Sequence, residues 1–391
     1  MTKSIDLSTT LLGLPPLPSH SSESISTLLW AREVLQQHLT STYAVKDPKG
    51  IEELKSVKIG GVDQWLHIRG RNRSNPVLLY LHGGPGYPTI GLMDAVQRPW
   101  EDYFTIVNWD QRQTGKSYYP ADDENAPLTV QQFIEDTEEV IQYLRDYLEK
   151  DKLFILASSW GTVLGMHMVK RHPDWVHAYI GAGQLVNWME NEKTMYERLL
   201  SHAKEQKNAE VIAKLEAITP YPDPNCPETS YIENAAYLRR ELSRLAGEAG
   251  THHLFWDDSG KVFNFDRTIS PHLSLTDISN FILTENAATR APYIFTKELM
   301  ATDLPNDVGS SFEVPIFFFT GAHDWHTPRS LSDQWFSEIN APYKELIHFD
   351  ESSHGVLNEE PGKALIALVN KVLPFAPAET KQESRKDNGS L

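Results

Sequence analysis

The sequence has little cysteine, a shortage of basic residues and no long hydrophobic run. Cys226 is the one cysteine among 391 residues, so no internal disulfide can form. The 36 Lys and Arg residues against 53 Asp and Glu give a formal net charge of −17, which disfavours nucleic-acid backbones and anionic membranes as partners. No apolar run approaches the roughly 20 residues that a membrane-spanning helix needs.

Recognisable targeting signals are missing as well. The first residues, MTKSIDLSTTLLGLPPLPSHSSES, lack a basic stretch followed by an apolar one, so no secretory signal is predicted. The final Ser-Leu does not complete a peroxisomal tripeptide. The lack of a disulfide framework suits a reducing compartment. Together these observations predict a cytoplasmic protein, and they leave its oligomeric state open.

The chain does contain a regular alternation of apolar strands and amphipathic helices. Five stretches are typical of buried strands: PVLLYLHGG, FTIVNWDQR, KLFILASS, VHAYIGAG and VPIFFFTGAHD. VQQFIEDTEEVIQYLRDYLEK has the spacing of an amphipathic helix. Strands that are apolar throughout imply an α/β fold, with a parallel sheet covered on both faces. LKSVKIGG and QWLHIRG are expected to form an antiparallel pair ahead of it.

The strand pattern breaks once and then resumes, which predicts an insertion. Residues 187–305 hold helical stretches and aromatics but no convincing buried strand, so we interpret them as a helical cap. The α/β core then covers residues 49–186 and 306–375. Residues 1–48 are predicted to form an irregular arm and a helix, and the polar residues 376–391 a disordered tail. An independent helical domain is the alternative to a cap.

The stretch ILASSWGTVLG places two adjacent serines between a strand and a helix. A nucleophile elbow needs small residues two positions before and two positions after its serine. Ala157 and Gly161 meet that need for Ser159, whereas the corresponding neighbours of Ser158 are a leucine and a tryptophan. Ser159 is therefore the predicted nucleophile. The alternative is a buried serine at a strand end with no catalytic role.

A serine hydroxyl needs a base, commonly a histidine held by an acid, in the chain order Ser, acid, His. Asp324 follows the strand VPIFFFTG and His354 follows the strand KELIHF. Both lie beyond the carboxyl end of a strand, where α/β sheets place their sites. His323 and His326 flank Asp324 on the same loop, so they reach across to Ser159 less easily. Asp350 stays open as an alternative acid.

Two further motifs follow neighbouring strands. LHGGPGYP ends a strand in glycines, so a backbone N–H can point into the site there. Together with the N–H of Trp160, it would form an oxyanion hole. In WDQRQTGKSYYP, Asp110 and Arg112 are expected to pair and brace the loop. TGKS lacks the earlier glycine of a phosphate-binding loop, which excludes that interpretation.

These motifs together resemble the α/β-hydrolase superfamily and, within it, the prolyl iminopeptidase branch. The residues that carry the resemblance are HGGPG, DQR with GKS, the SWG elbow, and the late Asp and His. The resemblance covers roughly residues 50–375. It implies an α/β-hydrolase fold, with a mostly parallel eight-stranded sheet flanked by helices and a helical cap between strands six and seven. It also implies that Gly84 and Trp160 supply the N–H groups of the oxyanion hole.

The same resemblance bears on the substrate. Members of this branch hold the free amine of the substrate with glutamates of the cap, and Glu233 and Glu285 are the candidates in this sequence. Two positions depart from the branch pattern. The elbow begins with Ala157-Ser158 in place of glycines, and Gln113 stands where a glycine usually follows DQR.

The predicted function is a serine hydrolase that cleaves a small hydrophobic ester or N-terminal amide through an acyl-enzyme. The alternatives are a carboxylesterase or lactonase without aminopeptidase activity, and a non-hydrolytic small-molecule-binding protein on the same fold. Ser159 disfavours an epoxide hydrolase, which usually has an aspartate there. No His, Cys and Asp spacing is typical of a zinc motif, so no metal or cofactor is expected. The expected partner is a small molecule or a short peptide.

Overall fold

The computed structural model describes residues 24–119, 128–248, 268–279 and 296–377 of the chain. The predicted arm over residues 1–22, nearly all of the predicted tail over residues 376–391, and Glu285 lie outside these ranges. In the described part of the chain, no helix combines the length and the apolar character needed to cross a bilayer.

Eight strands form one sheet with the order β1-β2-β4-β3-β5-β6-β7-β8. Strand β2 runs antiparallel to β1 and to β4, and all other neighbours are parallel. The predicted mostly parallel eight-stranded sheet is therefore confirmed, as is the antiparallel pair at its start. The strands are β1 Ile51–Ile59, β2 Val62–Gly70, β3 Val77–Leu81, β4 Thr105–Asp110, β5 Leu153–Ser158, β6 Val176–Ala182, β7 Ile316–Gly321 and β8 Lys344–Phe349.

Helices pack on both faces of this sheet. Further helices lie between β6 and β7 in the chain, although these two strands are neighbours in the sheet. In chain order the described α-helices are α1 Ser24–Tyr43, α2 Asp94–Gln97, α3 Val130–Leu148, α4 Gly161–Arg171, α5 Trp188–Glu205, α6 Ala209–Ala217, α7 Glu228–Glu248, α8 Thr296–Met300, α9 Leu304–Asp307, α10 Arg329–Glu338, α11 Val356–Glu359 and α12 Pro361–Ala367. Short helical turns cover Arg98–Asp102, Gly115–Ser117, Pro173–Trp175, Leu368–Val372 and Leu373–Phe375.

Alternate side chains of the inner strands enter two separate hydrophobic layers. In β3, Leu79 and Leu81 pack in the layer that also contains α3 and α4. Leu78 and Tyr80 pack in the opposite layer, beside the C-terminal helix α12. All five residues of β3 are buried. A strand covered on both faces has no place for polar side chains, which explains its uninterrupted apolar sequence.

The described helices between β6 and β7 have an apolar cluster of their own. It contains ten buried side chains from the segment that starts at α5, including Met195, Leu199, Leu215 and Leu238. The two ends of this insertion meet, because the N–H of Trp188 donates to the carbonyl of Thr302 at 3.0 Å. The chain thus leaves the sheet and returns to it at nearly the same place.

The expected pairing of Asp110 with Arg112 is wrong. The Arg112 guanidinium instead donates twice to the Asp136 carboxylate on α3, with both distances 2.8 Å. Asp110 accepts backbone N–H groups from its own and a neighbouring loop, including that of Lys116 at 3.0 Å and that of Thr89 at 3.1 Å. Burial raises the pKa of Asp110 to about 6 in spite of these bonds.

Candidate active site

Ser159 stands in a strained turn between β5 and α4. Its φ of +52° lies in the left-handed region, which costs a non-glycine residue about 1–2 kcal/mol. The backbone on both sides holds it there: its N–H donates to Ala182 at 3.0 Å and its carbonyl accepts the N–H of Thr162 at 2.9 Å. A turn of this kind carries the exposed serine of a nucleophile elbow.

The elbow needs small residues because the end of β3 approaches it closely. A Cβ on Gly161 would lie 2.2 Å from the carbonyl oxygen of Leu81, so no larger residue fits there. A Cβ on Gly83 would lie 3.1 Å from the Cβ of Ser159. Ala157, the small residue on the other side of the elbow, is fully buried. Because Gly83 has no side chain, the backbone of the HGGPG loop can lie close to Ser159.

Asp324 and His354 meet beyond the ends of β7 and β8. The imidazole Nδ1 lies 2.9 Å from Asp324 Oδ2. Thr327 supports the pair, because its hydroxyl donates to Asp324 Oδ2 at 2.7 Å and its N–H donates to Oδ1 at 2.9 Å. Asp350, the alternative acid, is exposed and faces Lys363 at 3.9 Å. The structure therefore places Asp324, and not Asp350, against the histidine.

The electrostatics of the pair favour charge on both partners. Burial opposes ionisation of Asp324, but the charge and hydrogen bond of His354 outweigh it and hold the pKa of Asp324 below its usual value. Burial also disfavours protonated His354, yet the Asp324 carboxylate raises the pKa of His354 above its usual value. Burial and the charge of His354 lower the pKa of His326 to about 3, so that ring is neutral near pH 7.

The end of β6 lies beside both Ser159 and His354. The N–H of Ser159 is bound to Ala182, and the next residue, Gly183, lies against the imidazole. A Cβ on Gly183 would be 3.1 Å from both Cε1 and Nδ1 of His354. The structure records no hydrogen bond between these two described residues, Ser159 and His354. Catalytic hydrogen bonds are often long before substrate binds.

A buried polar chain fastens the glycine loop to the elbow. The indole N–H of Trp160 donates to the Gln111 side chain at 3.1 Å, and the Gln111 amide donates to the carbonyl of His82 at 3.0 Å. The N–H of Gln111 also donates to the His82 imidazole at 3.0 Å. Gly84 follows in this loop with a φ of +115°, a conformation that glycine adopts readily. These hydrogen bonds fix the position of the HGGPG loop relative to Trp160, the residue after Ser159.

The inserted helices lie against the loop that carries Asp324. Asn191 on α5 donates to the carbonyl of His326 at 2.7 Å, and Arg198 donates to the carbonyl of Asp324 at 3.3 Å. The Arg198 guanidinium also stacks 4.5 Å from the ring centroid of Trp325. The acid loop is therefore clamped between the sheet and the insertion.

Two glutamates of the insertion differ sharply in environment. Glu192 on α5 is fully buried, and its carboxylate accepts hydrogen bonds from Tyr221 and Arg239. Glu233, the candidate predicted from the sequence, lies exposed on α7. Its predicted role toward a substrate amine stays a prediction, as does that of Glu285 outside the described ranges.

Sequence reasoning missed Thr327, Gln111 and Glu192 as parts of this site. Thr327 stands three residues after the acid in HDWHT, a spacing that suits a side chain folding back on Asp324. Gln111 stands between Asp110 and Arg112, and its partners His82 and Trp160 lie 29 and 49 residues away along the chain. Glu192 carried no local signal, because its partner Arg239 lies 47 residues further along the chain.

Comparison with known proteins gives the family directly. The alpha/beta hydrolase fold family matches residues 76–361, well over half of the chain. The chain belongs to this family. It is prolyl iminopeptidase-like, as its similarity to the following relatives shows. It is 32% identical to the probable aminopeptidase YbaC of Bacillus subtilis (strain 168), over 81% of this chain and 95% of that protein. It is 24% identical to a probable proline iminopeptidase of Leptolyngbya boryana, over 77% of this chain and 88% of that protein.

Solved structures show the same fold at lower sequence identity. A proline iminopeptidase from Mycobacterium smegmatis superposes with a TM-score of 0.52 at 17% identity, covering 82% of this chain and 98% of that one. A proline iminopeptidase-related protein from Thermus thermophilus gives a TM-score of 0.51 at 20% identity, covering 83% of this chain and all of that one.

Proposed function

We propose that this α/β hydrolase is a serine aminopeptidase that works through an acyl-enzyme. The observation that carries the proposal is the arrangement around Gly183. Ser159, in its left-handed turn, is bound to Ala182, the next residue Gly183 lies against His354, and His354 Nδ1 is 2.9 Å from Asp324 Oδ2. A nucleophile, a base and an acid that orients the base are the three parts that acyl transfer requires.

In the proposed reaction the Ser159 Oγ attacks the substrate carbonyl while His354 takes the hydroxyl proton. The Asp324 carboxylate stabilises the imidazolium that forms. The backbone N–H groups of Gly84 and Trp160 stabilise the oxyanion of the tetrahedral intermediate. His354 then protonates the leaving amine as the C–N bond breaks, and a water molecule, deprotonated by His354, releases the acid from Ser159.

The substrate class rests on the relatives. The Bacillus relative is named a probable aminopeptidase, and the Leptolyngbya relative a probable proline iminopeptidase. We propose an N-terminal amide with a small hydrophobic acyl residue as substrate. Glu233 and Glu285 are the proposed acceptors of the free amine. Glu192 is a weaker candidate, because Arg239 and Tyr221 already engage its carboxylate.

The test is hydrolysis of a paired substrate panel by the wild type and by Ser159→Ala, with Ser158→Ala as the matched control. The panel holds aminoacyl arylamides including the prolyl one, their N-acetylated forms, p-nitrophenyl esters of graded chain length, and lactones. We expect turnover of a free aminoacyl arylamide and its loss on N-acetylation. Ser159→Ala should lower kcat on the order of 10⁶-fold, as loss of a triad serine does in subtilisin.

Variants of the cap glutamates then test which residue binds the free amine of the substrate. Glu233→Gln and Glu285→Gln should raise KM for free aminoacyl arylamides, while Glu210→Gln, on the exposed surface of α6, should not. If only esters or lactones react and Ser159→Ala abolishes that activity, the aminopeptidase proposal is wrong and the acyl-enzyme mechanism stands. If the activity survives in Ser159→Ala, the mechanism itself is wrong.

A further inference from the structure

A second cluster of chemically able side chains lies away from Ser159, at the antiparallel end of the sheet. His67 on β2, Asp94 at the start of α2 and His272 in the segment of residues 268–279 offer ligand atoms that all lie within 4.8 Å of one another. These three side chains are called the His67 cluster below. None of them takes part in the proposed hydrolysis.

His67 is the least explained side chain of the cluster. It is 1% exposed, and neither ring nitrogen has a hydrogen-bond partner among the described residues. Buried polar atoms are nearly always paired, because an unpaired one has lost its water without replacement. Asp94 Oδ1 lies 3.9 Å from His67 Nδ1, and the His272 ring centroid lies 4.0 Å from that of His67. The gap between His67 and Asp94 is too long for a hydrogen bond.

We propose that the His67 cluster binds a divalent transition-metal ion, with zinc as its simplest probe. Two ligands at about 2.0–2.1 Å from a tetrahedral zinc lie about 3.3 Å apart. His272 Nε2 lies 3.1 Å from Asp94 Oδ2, and His67 Nδ1 lies 3.9 Å from Asp94 Oδ1, so the two imidazoles face different oxygens of one carboxylate. Two imidazoles and one carboxylate form a ligand set that suits zinc and its neighbours.

The surroundings provide a route for the ion and one opposing charge. A cavity of about 280 Å³ is lined by His67 and His272 together with Arg69 and Arg98. Arg69 is neutralised by ion pairs with Glu52 and Glu101. Arg98 weakens a cation site by its charge, but its guanidinium stacks 3.5 Å from the Tyr43 ring centroid. Three protein ligands leave a coordination position open to water.

The consequence of an ion here is structural. The segment of residues 268–279 is already held to α1, since Gln36 donates to the carbonyl of Ser270 at 2.5 Å. It is also held to the helical turn Gly115–Ser117, where Lys116 pairs with Asp277 at 2.8 Å. His272 already lies 3.1 Å from Asp94 of α2, so a metal bound to His272 would add an attachment to β2 through His67. Zinc should therefore stabilise the folded chain without being needed for hydrolysis.

The test uses the full chain, freed of metal with a chelator and titrated with Zn²⁺ against a chromophoric zinc indicator. We expect one tight site, with affinity lowered at least about 100-fold in Asp94→Asn and in His272→Gln. His38→Gln, which removes an exposed histidine of α1, is the matched control and should bind zinc like the wild type. Both test positions are partly exposed, so these variants are expected to fold even where His67→Gln does not.

Two further readouts keep the proposal distinct from adventitious binding. Co²⁺ should give tetrahedral d–d absorption bands in the wild type and in His38→Gln, and not in His272→Gln. Zn²⁺ should raise the Tm of the wild type and leave that of His272→Gln unchanged. No zinc binding, or binding that persists in both Asp94→Asn and His272→Gln, would overturn the proposal, because zinc would then bind elsewhere or not at all.

Discussion

Replacing Asp136 by asparagine should unfold the protein at a markedly lower temperature. Asp136 and Arg112 both have fully buried side chains, and they share two hydrogen bonds of 2.8 Å. Gln64 and Gln132 also donate to the same carboxylate, at 2.7 and 2.8 Å. The amide that replaces the carboxylate would turn N–H donors toward these donors and leave the Arg112 charge without a counter-charge.

The magnitude follows from the burial. Breaking a buried ion pair by removing one partner costs about 3–5 kcal/mol. At about 2.1 cal/mol/K per residue, a chain of 391 residues has an unfolding entropy of about 0.8 kcal/mol/K near its Tm. Dividing the two gives a fall in Tm of about 4–6 °C for Asp136→Asn.

Differential scanning calorimetry on matched variants measures this fall. Asp63→Asn is the control, because the pair of Lys58 and Asp63 spans 3.6 Å with both side chains largely exposed. An exposed pair contributes at most about 1 kcal/mol, so its Tm should change by about 1 °C or less. The double replacement Arg112→Met with Asp136→Leu should cost less than Asp136→Asn alone, since no unpaired charge remains buried. Equal Tm values for Asp136→Asn and Asp63→Asn would show that the buried pair contributes no more to stability than the exposed one.

Three further outcomes are expected. Asp324→Asn should lower kcat by about 10⁴-fold. It should also move the acid limb of the kcat/KM profile to lower pH, because His354 must be neutral to act as base and Asp324 raises the pKa of His354. An unshifted acid limb would contradict this. Gln113→Gly should raise the free energy of unfolding by about 0.5–1 kcal/mol, measured by urea denaturation, because Gln113 holds a φ of +59°; a decrease would contradict this. Gly183→Ala should reduce kcat/KM at least tenfold beyond Gly309→Ala, since both glycines have positive φ but only Gly183 lies against His354; equal kcat/KM values would contradict it.

The sheet could be predicted because its signal is local. Each of the strands β3, β4 and β5 is short, buried and mostly apolar, so five or six consecutive residues suffice to recognise it. Ser159, Asp324 and His354 share that advantage, since each follows a recognisable strand. Gln113 stands where a glycine is usual, and the structure explains the preference for glycine, because the backbone there has a φ of +59°.

The wrong pairing and most omissions involve partners that are distant along the chain; Thr327, three residues after Asp324, is the exception. The sequence predicts a pair of Arg112 with its near neighbour Asp110, whereas the actual partner of Arg112 is Asp136, 24 residues later on α3. His67 and His272 are separated by about half of the chain, so no spacing rule connects them. A sequence pattern reports which side chains share an element. Tertiary packing decides which elements meet, and it therefore decides which side chains that are distant in sequence become partners.

The measurement that tests the account most directly is covalent labelling with a fluorophosphonate, followed by peptide mass spectrometry. The wild type should carry one label, on Ser159, and lose all hydrolytic activity in proportion to labelling. Ser158→Ala should label like the wild type, while Ser159→Ala and His354→Ala should not react. A label on Ser158, or activity that persists in fully labelled protein, would contradict the assignment of Ser159 as the nucleophile.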